Sequence, residues 1–226
     1  TDNTLCVLKK YAAIDDRIVL LRNDENLGLA ASLNNCIAVS KGDYIARMDD
    51  DDISHSERLE KQIEFMEKNS KYAIVGTSKR YFDDDGVWGT AIYDGERSLK
   101  DIFCGRSFTH PSVVMRREAL KSVGLYTVSP LTIRGQDYDL WCKFYYKGYI
   151  GYNMSDILLD YYESSHSIKR RKLKYRINGC KIRLHWRRKL NIPKLYNVYA
   201  FKEIIAGIIP RNILLYRRKK LVNKTL

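Results

Sequence analysis

Four consecutive aspartates, Asp49 to Asp52, follow directly on the apolar run Asp43-Tyr44-Ile45-Ala46-Arg47-Met48. Tyr44, Ile45 and Met48 read as a short buried strand, which places the acids at its C-terminal end. In an open α/β sheet, ligands bind in the crevice outside those ends. Adjacent carboxylates repel one another and are costly to hold together without a cation. Hard divalent ions such as Mg²⁺ or Mn²⁺ take oxygen ligands and bridge carboxylates to phosphates. One reading is therefore a metal-diphosphate site. The other is a solvated turn in which Asp52 or Ser54 caps a helix beginning near His55. On the acidic run alone the two are even, and the strand before it favours the site.

The surrounding pattern alternates. A helix is predicted from Asp2 or Thr4 to about Ala13, and a strand over Arg17-Ile18-Val19-Leu20-Leu21. After the polar turn Asn23–Asn26, a helix runs from Leu27 to Ser40, ended by Lys41-Gly42. Strand 43–48 follows, then a helix from about Ser54 to Asn69 and a strand over 72–76. This order indicates an α/β fold with a doubly wound, largely parallel sheet. Ser78 to Tyr93 reads as a hairpin with Asp85-Gly86 at its tip. Turn chemistry explains its second acidic cluster, Asp83 to Asp85. Short helices are predicted over 98–104 and 117–123, with a strand over 111–115 between them. A helix is predicted over Gln136–Tyr146, then strands over 149–152 and 157–162.

Charge divides the chain. Residues 167–226 carry 19 Lys and Arg against the single acid Glu203, a net of +18 within an overall +13. A mildly acidic body over 1–166 thus precedes a basic, helical tail over 167–226. Such asymmetry points to an anionic partner for the tail. The tail interleaves its charges with Trp186, Ile204, Ile205, Ile208, Ile209, Leu214 and Leu215. That mixture suits an anionic membrane surface. Charge alone also suits nucleic acid, but no nucleic-acid motif is present and none is expected to bind. The five cysteines are odd in number, well separated, and without His at metal-ligand spacing. They exclude a disulfide framework and a zinc site, and read as reduced, mostly buried thiols of a cytoplasmic protein. No apolar stretch is long enough to span a bilayer, so the membrane contact is expected to be peripheral, at the inner face.

Several motifs occur together in order: Asn26-Leu27-Gly28, Ala31, Asn34, Gly42-Asp43-Tyr44-Ile45 and Met48-Asp49-Asp50-Asp51-Asp52. His110-Pro111-Ser112, Gly124-Leu125-Tyr126 and Gln136-Asp137-Tyr138-Asp139-Leu140-Trp141 follow. Over roughly residues 1–165 this set resembles glycosyltransferase family 2. The resemblance implies a GT-A fold, a nucleotide-sugar donor, Mn²⁺ or Mg²⁺, and inverting transfer to a glycan or lipid-linked acceptor in cell-surface polysaccharide synthesis. Asp49 and Asp51 match the metal-binding aspartates, with Asp50, Asp52, Arg47 and His166 on the donor side. Asp137 matches the general base, and His110 and Gln136 lie on the acceptor side. Gln136 stands where the family commonly has Glu, which removes one negative charge.

The resemblance also implies a first strand and loop that hold the nucleoside. Thr1-Asp2-Asn3-Thr4 reads as the end of that loop, so part of the nucleoside pocket is expected to be absent from this chain. The competing reading is a non-catalytic basic protein that binds membrane or nucleic acid, its aspartates merely a turn. A nucleotidyltransferase is a third, and the lack of a Gly-rich phosphate loop with a following Lys counts against it.

Overall fold

The computed structural model describes residues 2–163 and 172–205. The chain forms two compact units, residues 1–40 and the remainder from Lys41 onward.

The first unit is helical. α1 spans Thr4–Ala12, and its first amide donates to the Asp2 carboxylate at 3.0 Å. α2 spans Leu29–Val39 and is entered through Gly28 at φ 78°, whose amide donates to Asn26 Oδ1 at 3.0 Å. Asn26 and Gly28 therefore shape the turn, and the positive φ explains the glycine. Arg17–Leu21 is not a strand among the described residues. Arg17 instead folds back on the Asp15 carboxylate at 2.7 Å. An apolar run becomes a strand only when its backbone groups find a ladder partner.

The second unit is a seven-stranded sheet flanked by helices. Its path runs β1 (Tyr44–Ala46), β6 (Val114–Arg116), β3 (Tyr72–Asp83), β7 (Ile150–Tyr162) and β2 (Ile53–Ser54). β4 (Gly86–Ala91) adds to β3, and β5 (Gly95–Arg97) adds to β7. The parallel direction is carried by the longest ladder, β3 with β7, while the shorter strands pair antiparallel. The two long strands approach closely. A Cβ on Gly151 would lie 2.5 Å from the Phe108 ring and 2.9 Å from the Ile74 carbonyl. β7 is one irregular strand where two were predicted, its register slipping around Thr77–Lys79 of β3. The 111–115 segment begins instead as a 3₁₀ turn over His110–Ser112. The reason is local: Pro111 suits a first helical position, and Ser112 Oγ donates back to the Thr109 carbonyl at 2.9 Å. The Asp83–Asp85 turn is as expected, with the Asp85 amide on Asp83 Oδ1 at 3.1 Å.

α3 (Arg58–Lys68) buries Arg58, Gln62 and Met66, one stripe at four-residue spacing. α4 (Leu99–Phe103) starts in a capping box between Ser98 and Asp101. α5 (Arg117–Ser122) ends before Gly124, and α6 spans Gln136–Tyr146 as predicted. Leu140, Trp141, Cys142 and Phe144 of α6 are fully buried, as are Ile74, Val75, Val114 and Met115 of the sheet. The cysteines are free, but only Cys142 and Cys180 are buried, while Cys6 and Cys36 are exposed.

The basic region is partly integral to this unit. α7 (Leu173–Lys189) buries Cys180, Ile182 and Trp186, and α8 (Asn197–Ile205) follows it. Trp186 Nε1 donates to Asp139 Oδ1 of α6 at 2.7 Å, Arg183 Nη1 to the Phe103 carbonyl at 2.5 Å, and Asn178 Nδ2 to the Pro130 carbonyl at 3.0 Å. Trp186, expected among the membrane-facing residues, is thus turned inward, because its indole N–H has a buried carboxylate to satisfy. Ile208, Ile209, Leu214 and Leu215 lie outside the described residues. No helix among the described residues is long and apolar enough to cross a membrane.

Candidate active site

The acidic run leaves the end of β1 and is fixed from below by a buried polar chain. Arg47, 5% exposed, has its amide on the Val113 carbonyl at 3.0 Å, and its carbonyl accepts from Arg58 Nη2 at 2.7 Å. Arg58 Nε reaches Gln62 Oε1 at 3.1 Å, and Gln62 Nε2 donates to the Val75 and Ser112 carbonyls at 2.8 and 2.9 Å. The strand end is therefore tied through α3 to the middle of the sheet. Burial pushes the Arg58 guanidinium down to about 10, with Asp52 favouring its charge and Arg47 opposing it.

One carboxylate oxygen from each of Asp49, Asp51 and Asp52 lies within 4.8 Å of the others. Asp49 pairs with the Arg47 guanidinium. Asp50 points outward, exposed and outside the trio. Asp52 is 7% exposed, and its Oδ1 accepts the Tyr162 amide of β7 at 2.9 Å. It does not cap α3, whose N-cap is Glu57. Its Oδ2 is buried with no hydrogen-bond partner among the described residues. Burial raises the Asp52 carboxyl to about 6, with Asp51 and Asp49 adding to the rise. Asp51 is raised as well, by desolvation first and then by Asp49 and Asp50. Three converging carboxylates, one with an orphaned buried oxygen, match the hard-oxygen donor set of a small divalent cation.

Beside the trio stands a second pair. His110 Nε2 shares a 2.7 Å hydrogen bond with the Tyr126 hydroxyl. Desolvation pushes the imidazole down to about 3, so the ring is neutral at physiological pH, with Arg47 and Asp49 acting on it in opposite senses. Burial holds the Tyr126 hydroxyl well above its ordinary value, and the charges of Arg47, Asp137 and Asp49 also reach it. Tyr126 therefore lies within electrostatic reach of both the acidic trio and Asp137. Leu125, just before it, holds φ 57°, an uncommon backbone for a γ-branched residue.

Asp137 is half-buried in the first turn of α6, next to Gln136. It lines a cavity of about 220 Å³ together with Gly105, Tyr138 and residues of α7. Asp139, one residue beyond Tyr138, turns away. It accepts from Thr127 Oγ1 at 2.6 Å and from Trp186, and serves structure. His166 lies outside the described residues.

A family model, glycosyl transferase family 2, matches residues 1–124. The Bacillus subtilis protein EpsE, named as a glycosyltransferase, is 38% identical over 99% of this chain and 81% of its own length. The chain belongs to glycosyltransferase family 2. The Escherichia coli UDP-Gal:alpha-D-GlcNAc-diphosphoundecaprenol beta-1,3-galactosyltransferase is 30% identical, over 83% of this glycosyltransferase and 66% of its own length. Among solved structures, the Pyrobaculum calidifontis mannosyltransferase PcManGT, in complex with GDP-Man and Mn²⁺, superposes with a TM-score of 0.55 at 15% identity. That match covers 98% of this glycosyltransferase and 68% of PcManGT, and its fold, like that of its neighbours, is of the GT-A type the motifs implied.

Sequence reasoning did not reach Arg58, Gln62 or Tyr162, and it gave Tyr126 no role beyond its place in the Gly124-Leu125-Tyr126 motif. A signal existed for the first two: a charged and an amide side chain stand on the apolar stripe of α3, in line with Met66. None existed for Tyr162, whose contribution is a backbone amide.

Proposed function

We propose that this glycosyltransferase moves a sugar, with inversion, from a nucleotide-sugar donor to a glycan or lipid-linked acceptor in cell-surface polysaccharide synthesis. The observation that carries the reading is the trio Asp49, Asp51 and Asp52, with the unpartnered buried oxygen of Asp52. These three would hold Mn²⁺ or Mg²⁺. Such an ion supplies Lewis-acid stabilisation for the negative charge of a departing nucleoside diphosphate. The Mn²⁺ and GDP-Man of PcManGT and the UDP-Gal and lipid diphosphate in the name of the E. coli relative support the same chemistry. Asp50, exposed beside the trio, and His166 are assigned to the donor side. Arg47 acts there indirectly, by steering Asp49.

Asp137 accepts the proton of the acceptor hydroxyl as that oxygen attacks the sugar from the face opposite the leaving group. The first turn of α6 holds this carboxylate in place. His110 is neutral and hydrogen-bonded, so it acts on the acceptor side as a positioning group for Tyr126, and Gln136 flanks the base without adding charge. The lysines and arginines of 167–226 keep the enzyme at an anionic membrane surface, on the cytoplasmic side, where a lipid-linked acceptor lies. No nucleic acid is involved. The test is calorimetry of Mn²⁺ with UDP and with GDP, followed by a nucleotide-sugar screen. Metal-dependent nucleotide binding that disappears in Asp51→Ala supports the reading. Nucleotide binding indifferent to metal and to Asp51 removes it.

A further inference from the structure

The cavity at Asp137 is strongly cationic. Among its described lining residues, Asp137 is the single acid, while Arg134, Arg176 and Arg183 all face the same space. Two of the three come from α7, in the basic region, and one from the loop that enters α6. The arrangement is held in place. Arg183 is anchored on the Phe103 carbonyl at 2.5 Å and stacked over the Tyr138 ring at 4.1 Å. Arg134 sits at φ 67°, a strained conformation for a side-chain-bearing residue, directly before Gly135. Gly135 in turn lies close under α7, where a Cβ would come 3.2 Å from Ile182 Cδ1. α7 thus packs closely against the loop carrying Arg134. Three guanidinium groups and one carboxylate thus line the same cavity, and Gln136, beside that carboxylate in sequence, is neutral.

We propose that Arg134, Arg176 and Arg183 form an anion-binding subsite of the acceptor pocket, so that the acceptor presents a phosphate or carboxylate close to its reacting hydroxyl. The inference rests on Asp137 being the base that faces the acceptor. Guanidinium forks suit planar or tetrahedral oxyanions and bind them through charge-assisted hydrogen bonds. Two acceptors carry such a group beside a free hydroxyl: a sugar on a lipid diphosphate, and an acidic sugar in a glycan. The subsite also gives α7 a part in acceptor selection, since it supplies two of the three cations.

The experiment follows arginine Nε–H resonances by NMR on the full chain, in EDTA so that no metal site can hold phosphate. The probes are farnesyl diphosphate, a glucuronate-containing disaccharide and a neutral glucoside disaccharide. A saturable shift at Arg134 and Arg176 with either anion, and none with the neutral sugar, is expected. A response to the diphosphate alone identifies a lipid diphosphate, and a response to the glucuronide alone identifies an acidic glycan. The double variant Arg134→Gly, Arg176→Gln should weaken the anion at least about tenfold, in line with the loss of charged hydrogen bonds. Glycine relieves the strained backbone, and Arg183 is left intact because it also supports the fold. Equal shifts with the neutral sugar, no shift with either anion, or undiminished affinity in the double variant would overturn the proposal. UDP with Mn²⁺, titrated in parallel without EDTA, should bind wild type and double variant alike. A failure of that arm alone counts against the metal site and leaves the arginine site standing.

Discussion

Trp186→Phe asks whether the basic region is a loose appendage or part of the enzyme's frame. The indole is 4% exposed and its N–H donates to Asp139 Oδ1 at 2.7 Å. Phenylalanine keeps an aromatic ring against Tyr146, whose centroid lies 6.0 Å away, but removes the donor. A hydrogen bond to a charged group contributes about 1.5–3 kcal/mol, and a buried acceptor that loses its donor costs the upper end of that range. The smaller ring adds about 1 kcal/mol for the unfilled space. The expected loss is therefore about 2–4 kcal/mol. With a urea m-value of about 3 kcal/mol/M for a domain of this size, the midpoint should fall by roughly 1 M. The second arm is Asp139→Leu. If the pair is coupled, the double variant should be at least about 1.5 kcal/mol more stable than the two single losses predict, because no deprived carboxylate remains. Additive losses, or a Trp186→Phe midpoint within about 0.2 M of wild type, would refute the docking of α7 through this contact.

Asp137→Asn should keep Mn²⁺–UDP binding and lower transfer by ~10²–10⁴, since an amide cannot accept the proton; near-normal turnover would remove Asp137 from the role. Asp52→Asn should weaken Mn²⁺ by at least about tenfold in calorimetry while Asp50→Asn leaves it nearly unchanged, as the burial of one and exposure of the other require. For His110, the folded imidazole at about 3 lies below its ordinary 6.5, so the unfolded chain binds the extra proton between those values. Its contribution to stability is complete above pH 6.5 and is lost as pH falls toward 3, at up to about 1.4 kcal/mol per pH unit; urea midpoints of His110→Gln should show a flatter acid limb. Binding to anionic vesicles should fall steeply as salt is added yet persist in part at high salt, and Trp186→Phe should leave it unchanged; retention of nucleic acid but not vesicles would end the membrane reading.

The parts of this fold that sequence revealed are those decided locally. α6 could be bounded because the aromatic-rich run Gln136–Tyr146 is stopped by Gly148, which takes φ 83° beyond its end. The acidic run was visible because like charges in a row at a strand end have few uses. Asp52 could not be separated from Asp50 in sequence, because their difference is which way each side chain turns, and a strand 110 residues away decides that. Arg17–Leu21 misled because its apolar run signals a strand without saying whether a neighbour pairs with it. The 3₁₀ turn at His110 replaced the start of a predicted strand because Pro111 and Ser112 favour local hydrogen bonds over the ladder. Trp186 was misread since a tryptophan among basic residues looks interfacial until its N–H is found to have a partner.

The bond from the Tyr162 amide to Asp52 also sets a clock. At synthesis rates of about 5–20 residues per second, roughly 5–20 s separate the emergence of Asp52 from that of Tyr162. Through that interval the nascent chain carries its aspartates without the backbone donor that orients the buried one. A long-range parallel ladder is slow to close, because loop entropy is lost before contacts repay it. On the proposed function, cation capture would therefore come late in biogenesis, tied to the closure of the sheet and not to exposure of the acidic tetrad at the ribosome. A fragment ending before β7 would carry the full acidic motif and lack the means to use it.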